Sequence, residues 1–522
     1  MKLDWNVNGM TGTAGWEGEV HVHGPFEGTV KSAKAVLKID PPDGLFMNGY
    51  QSWTYSPEWK PLQRQYGLGH LPKKLIDKFS LDRYGDAHIV GQSLMRGRFH
   101  GFSWCWFRNG ETYRLFASLD ETAGYTIFSY DALKRELTIT RDAEGLKVSG
   151  DFRAFDLFTA EGSREEVFEA WFRAMGTEKR DIPKLYGYGS WYDRYQDIDE
   201  EGILQTLEGC KGIFEPGDLF QIDDGWEPFV GDWTEGSAEK FPGGMKRMAG
   251  LIHSAGYRAG LWLAPFVAEE KSSVYQEHPD WFYQHDGEPW KCGCNWSGFY
   301  ALDIDNPEAM AYVESCMRRV TEDWGFDLVK LDFLYGAAPY GSETETRAAR
   351  MRRALEMLRK WCGNALILGC GVPLMPAFGL VDYCRIGCDV SLDWDDKPYM
   401  KIAHPERIST VRSMTDTLTR QPIDGFAFGC DPDVLFLRTE NLKLDEKQKD
   451  LLAKVDALSA SVFLTSDDPG KYTEEQKTRY RAYRAMTKLK AGKPEHRGQR
   501  VSLTFEQDGI AREIILPADV RA

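Results

Sequence analysis

The feature that most constrains this chain is a change of texture after Pro183. From there, eight short apolar runs alternate with longer stretches of helical spacing: Leu185–Trp191, Leu219–Asp224, Arg258–Ala264, Asp327–Phe333, Ala365–Gly371, Tyr383–Gly387, Gly425–Gly429 and Ser461–Ser466. Short apolar runs separated by helices are how parallel strands buried on both faces read, and eight of them predict a (β/α)8 barrel. One helix between them opens with Asn306 and Pro307, and its Met310, Val313, Met317 and Val320 recur at helical spacing. A doubly wound open sheet is the alternative, but no glycine-rich phosphate loop follows an early strand.

Upstream the periodicity is two. Ala33, Ala35, Leu37 and Ile39 recur at every second position, as do Leu137 with Ile139 and Leu146 with Val148, and turn residues separate the runs. This is the pattern of an antiparallel β-sandwich. A helix closes it, announced by Ser163 and Glu166 as a capping box ahead of Val167, Phe168, Trp171 and Phe172. The expected organisation is a sandwich domain over 1–180, a catalytic barrel over 181–490 with Glu474–Lys490 as its last helix, and a short β segment over 491–522.

Nearly every barrel run ends in a reactive or sugar-binding residue type: Trp191, Asp223 and Asp224, Trp262, Lys330 and Asp332, Cys370, Arg385 with Asp389, Asp431, and Asp467 with Asp468. Barrel enzymes gather their sites at those strand ends. Seventeen tryptophans supply flat surfaces of the kind that stack on sugars. A formal charge of -16 excludes sequence-independent binding to nucleic acid or anionic lipid. No stretch approaches a membrane span, and Met1-Lys2-Leu3-Asp4-Trp5 lacks the apolar core of a signal peptide, so a soluble cytoplasmic protein is expected. Ten dilute cysteines read as free thiols. Cys292-Gly-Cys294 lacks the second half of a zinc site, and His21-Val-His23, although a metal pattern, reads as a solvated strand face. Neither a metal nor a cofactor is expected.

Glycoside hydrolysis needs two carboxyl groups flanking the anomeric carbon. Asp332 follows the apolar strand Leu328-Val-Lys330-Leu, and period-2 geometry puts Lys330 on its face, where a cation would keep Asp332 ionised; a Lys–Asp salt bridge in the barrel wall is the competing reading. Asp389 would face it across the mouth, with a pKa raised by the charge of Asp332, unless it is a loop or capping residue paired with Arg385. Asp382, Asp393, Asp395 and Asp396 compete with it on local grounds. Asp223 and Asp224 beside Gly225-Trp226 suit bidentate gripping of neighbouring hydroxyls, while Trp191 and Trp262 serve as sugar platforms or as core.

Taken together, Phe220-Gln-Ile-Asp-Asp, Leu261-Trp-Leu-Ala-Pro-Phe, Lys330-Leu-Asp332-Phe, Leu368-Gly-Cys-Gly and Arg385-Ile-Gly-Cys-Asp389 resemble glycoside hydrolase family 36, the bacterial α-galactosidases, and more loosely family 27. The resemblance extends upstream to Gln51-Ser52-Trp53, similar to the tryptophan that the family's N-terminal domain sends into the sugar pocket. It implies Asp332 as nucleophile and Asp389 as general acid/base. By the same resemblance Asp223 and Asp224 hold the hydroxyls that mark galactose, Lys330 and Arg385 bind the sugar, Cys370 lines the pocket near the 2-position, and Trp53, Trp191 and Trp262 shape its walls. Gly369-Cys370-Gly371 stands where many relatives carry Ser-Ser-Gly-Gly, and the tail after Lys490 is brief for the family.

The implied activity is retaining hydrolysis of terminal α-galactosides, with a small oligosaccharide or α-galactoside as partner. An α-N-acetylgalactosaminidase, a transglycosylase on the same site and a catalytically silent carbohydrate-binding protein are the alternatives. The natural glycan and self-association into a homo-oligomer stay open.

Overall fold

The computed structural model describes residues 1–395, 406–489, 491–497 and 500–517. The N-terminal part is two six-stranded antiparallel sheets packed face to face. The alternation seen in the sequence is the inward face of the first sheet: Leu137 pairs with Leu37 and Ile139 with Ala35, and all four are buried. Arg164–Ala174 follows as a helix capped by Ser163 and Glu166, with Val167, Phe168, Trp171 and Phe172 buried.

Eight parallel strands then form the barrel: Leu185–Gly189, Leu219–Ile222, Arg258–Leu263, Leu328–Leu331, Leu366–Gly369, Tyr383–Arg385, Gly429–Asp431 and Val462–Thr465. The seventh strand closes the ring. Its first half pairs with the sixth strand, and its continuation, Val434–Leu435, pairs with the eighth, which pairs with the first. The kink between the halves falls at Asp433, whose φ of 87° is rare outside glycine.

The seventh strand differs from the expected Gly425–Gly429. That run turns instead, with Gly425 at φ 82°, and the strand begins where the run ends. Phe426 and Phe428 are buried, and Phe426 stacks on Phe172 of the N-terminal helix at 4.7 Å. An apolar run can therefore reach the core as a turn, which periodicity over five residues does not distinguish from a strand.

The helix Pro307–Arg318 is capped by Asn306 as expected, and Glu474–Met486 closes the barrel region. A three-stranded antiparallel sheet, Ala491–Arg497, Arg500–Gln507 and Ile510–Pro517, follows. No helix among the described residues is long and apolar enough to cross a membrane.

Candidate active site

A cavity of about 790 Å3 opens at the C-terminal ends of the barrel strands. Trp53, Trp191, Asp223, Asp224, Trp262, Lys330, Asp332 and Asp389 all line it. Arg385 and Cys370 stand directly behind: Arg385 donates to Asp389 and Cys370 accepts from the Trp53 indole. Of the competing acids, Asp382 accepts from Arg359 and from the Ile367 amide, Asp393 from the Trp394 amide, and Asp395 from Arg407 and Ser409. None of these three lines the cavity. Asp396 lies outside the described residues.

Asp332 leaves the fourth strand where the chain turns sharply. Phe333 takes φ 52°, a left-handed conformation costly for an aromatic residue, and its amide thereby donates to Asp332 Oδ1 at 2.8 Å. The Trp262 indole donates to Oδ2 at 3.1 Å. Trp262 thus both walls the cavity and orients a carboxylate, packed against Trp233 and Trp296.

Lys330 departs from expectation. Its ammonium bonds Asp223 Oδ2 at 3.0 Å across the barrel floor, not the Asp332 of its own strand. Burial opposes the Lys330 charge, but Asp223 and Asp332 outweigh it and hold its pKa up. For Asp332, burial pushes the carboxyl up, Lys330 and the indole pull it down, and the charge of Asp389 pushes it up again. The net direction is upward, so the cation moderates the desolvation of Asp332 without cancelling it.

Asp389 does pair with Arg385, at 2.6 Å, and still reaches the cavity with about a third of its side chain exposed. The buried guanidinium also binds Asp433 at 2.5 Å and lies 3.6 Å from Asp431. Asp433 in turn accepts from the Tyr192 hydroxyl and the Val390 amide. Burial, against the pull of Arg385, lifts Asp433 to about 7. The kinked seventh strand thereby fixes the arginine that fixes Asp389.

Asp224 Oδ2 accepts from Trp296 and Gln196, both at 2.9 Å. Burial raises the pKa of Asp224 even though Glu227 and Trp296 hydrogen-bond to it, and burial with the Asp224 charge keeps Glu227 well above the usual range. Gln196, Glu227 and Trp296 were not legible beforehand, since they stand in loops without periodicity.

Trp53 arrives from the loop between two sandwich strands. Buried Arg420 binds that loop through Asn48 Oδ1, the Ser52 and Thr54 carbonyls and Ser56 Oγ, and bonds the Ile386 carbonyl of the barrel. The Trp53 indole donates to Cys370 Sγ at 3.3 Å, and its ring edges Phe333 at 5.2 Å.

Residues 180–357 match the Melibiase family. Over 167 residues the chain is 25% identical to the α-galactosidase Mel36A of Lactobacillus acidophilus, an alignment covering 31% of this chain and 22% of the relative. Over 123 residues it is 37% identical to an A type blood α-D-galactosamine galactosaminidase of Flavonifractor plautii, covering 22% and 11%. The matched region thus spans a quarter or less of these curated relatives. Among solved structures, the α-galactosidase TtGalA from Thermus thermophilus in complex with p-nitrophenyl α-D-galactopyranoside superposes with a TM-score of 0.76 at 28% identity, covering 98% of both chains. The family 36 α-galactosidase AgaA from Geobacillus stearothermophilus shares the fold, with a TM-score of 0.60 at 14% identity over 91% of this chain and 68% of that one.

Fold and site define a (β/α)8 barrel that carries an N-terminal β-sandwich and gathers carboxylates and tryptophans in one cavity at its strand ends. Its barrel carries the Melibiase match over residues 180–357, and the chain as a whole is similar to α-galactosidases in sequence and fold.

Proposed function

We propose that the protein hydrolyses terminal α-galactosides with retention of configuration. The observation that carries the reading is that Asp332 and Asp389, from the fourth and sixth strand ends, line one cavity whose floor holds the acidic pair Asp223 and Asp224. Asp332 attacks C1 as the C1–O bond to the aglycone breaks, and Asp389 gives its proton to the departing oxygen. Water then attacks C1 of the β-linked glycosyl-enzyme, Asp389 takes its proton, and Asp332 leaves as carboxylate. The amide of Phe333 and the indole of Trp262 hold Asp332 in one rotamer for attack.

Epimer selection falls to Asp223 and Asp224. Asp223 is charge-compensated by Lys330, so a sugar hydroxyl meets a carboxylate whose desolvation is already met. Trp53, Trp191 and Trp262 supply apolar walls for the pyranose faces. The chemistry needs no cofactor.

A panel of p-nitrophenyl α- and β-glycosides, with and without acceptor sugars, tests the reading. The α-galactoside is expected to be the fastest substrate, with water as the main acceptor. A higher kcat/KM on the α-N-acetylgalactosaminide, or on the α-galactosaminide that the name of the Flavonifractor plautii relative gives, would overturn the galactose assignment. Dominant transfer to the acceptor would make the enzyme a transglycosylase, and no turnover of any glycoside would leave a binding protein.

A further inference from the structure

Away from the cavity, the sandwich carries a group of side chains with the composition of a transition-metal site. His21 and His23 lie on Gly18–Thr29, the edge strand of the second sheet, two residues apart and so on one face. The neighbouring strand, Lys147–Gly162, pairs Arg153 with His23, Phe155 with Val22 and Asp156 with His21, leaving Ala154 as the extra residue of a β-bulge. Were Ala154 paired in regular register, opposite Val22, Phe155 would stand opposite His21. The bulge replaces a phenyl ring with a carboxylate at this position, which is what bulges do where a side chain has to be re-aimed.

The resulting geometry converges on one point. His21 Nδ1 and His23 Nε2 each lie 2.6 Å from the same oxygen, Asp156 Oδ1. The three donor atoms fall within 4.8 Å of one another. Asp156 is only 5% exposed, and its second oxygen has no hydrogen-bond partner. On the far side of the His21 ring, Glu19 Oε2 lies 3.4 Å from Nε2. A carboxylate on the outer ring nitrogen is the usual support of a metal-bound histidine, because it fixes the tautomer that turns the other nitrogen to the ion.

We propose that His21, His23 and Asp156 bind one divalent transition cation, zinc above all, with Glu19 as the outer support of His21, and that the ion clips the edge strand to its neighbour. Two imidazoles and a carboxylate suit zinc, and water completes its coordination. With metal–donor bonds of about 2.0 to 2.2 Å, tetrahedral donors stand about 3.3 Å apart. Each 2.6 Å contact therefore opens by about 0.7 Å, within reach of two imidazoles that are 46% and 31% exposed. The ion takes the place of the proton held between imidazole and carboxylate, and that proton leaves to solvent. None of these residues lines the catalytic cavity.

The test uses the full chain stripped with a chelator, titrated with zinc chloride by calorimetry and with cobalt chloride by visible absorption. One site per chain with a micromolar dissociation constant is expected. His23→Gln and Asp156→Asn should each weaken it at least about tenfold, and Glu19→Gln by roughly tenfold. The cobalt spectrum should show d–d bands without a thiolate charge-transfer band, which separates this site from the exposed thiol of Cys294. Zinc should raise the melting temperature of the wild type and leave that of His23→Gln unchanged. His23 is partly exposed, so His23→Gln keeps the fold even if Asp156→Asn does not. Absence of stoichiometric binding, affinity equal in wild type and His23→Gln, or a thiolate band would each overturn the proposal.

Discussion

Lys330 and Asp223 form a 3.0 Å ion pair across the barrel floor, with the third strand between their own two. Both side chains are nearly sealed from water. Removing one partner of such a pair leaves the other charge buried and uncompensated, which costs about 3 to 5 kcal/mol. Lys330→Met should therefore lower stability by that order in urea unfolding, and Lys330→Met with Asp223→Asn should recover part of it. A loss below about 1 kcal/mol for the single variant, the range of a solvent-screened pair, would contradict this account.

Asp332→Gly should lower kcat on aryl α-galactosides by at least about a thousandfold, since the nucleophile and its positioning act as one unit. Azide added to that variant should restore turnover and give the β-galactosyl azide, identified by its anomeric proton coupling. The anion enters from the face that Asp332 vacates. An α-configured azide would show that the nucleophile is another residue.

Asp389→Ala should separate substrates by leaving group. General-acid assistance is worth about a hundredfold to ten-thousandfold, and a substrate with a poor leaving group needs most of it. Raffinose-type substrates should lose rate in that range while a dinitrophenyl galactoside loses far less at the glycosylation step. Equal losses on both would assign the acid elsewhere.

Seven of the eight barrel strands were legible because a strand buried on both faces needs a continuous apolar run, and the chain writes that requirement locally. The seventh was displaced because Phe426 and Phe428 reach the core from a turn. Within the site, period-2 geometry put Lys330 and Asp332 on one face but could not say which carboxylate the ammonium would meet, since Asp223 lies 107 positions away. Asp389 was separable from its acidic neighbours only by resemblance; the fold separates them physically, turning Asp382 onto Arg359, Asp393 onto a backbone amide and Asp395 onto Arg407, so that none of the three lines the cavity. Arg420, whose bonds hold the Trp53 loop, left no trace in the sequence, because an arginine late in a helix reads as a solvated one.

Gly371 offers a test of how closely the sandwich loop must fit. Its φ is 56°, and a Cβ there would lie 2.9 Å from two atoms of the Trp53 ring and 3.1 Å from the Phe333 amide. A rigid indole gives way only by moving as a whole. Gly371→Ala should cost about 1 to 3 kcal/mol in stability, from backbone strain and overpacking. It should also raise KM for α-galactosides more than it lowers kcat, because the Trp53 wall stands closer to the new Cβ than the Phe333 amide that orients Asp332. A fall in kcat with KM unchanged would mean that the strain passes through the Phe333 amide to Asp332 and leaves the Trp53 wall in place.

Glu121 gives a prediction about pH that is independent of the site. It is buried in the sandwich, where its oxygens accept from the Thr126 amide and the Ser103 hydroxyl, both at 3.1 Å. Burial nevertheless raises it to about 7, against the pull of those donors and of Arg141. An unfolded glutamate titrates near 4.3. Between these values the folded chain holds the extra proton, so this residue's contribution is fully favourable below pH ~4 and is lost as pH rises through about 7, by up to roughly 3 kcal/mol. Glu121→Gln stays neutral throughout. Its melting temperature should match the wild type near pH 4, exceed it increasingly up to about pH 7 and keep a constant lead above that, with both proteins followed by calorimetry in the same buffers. Parallel curves for the two proteins would show that Glu121 is ionised in the folded state across the whole range.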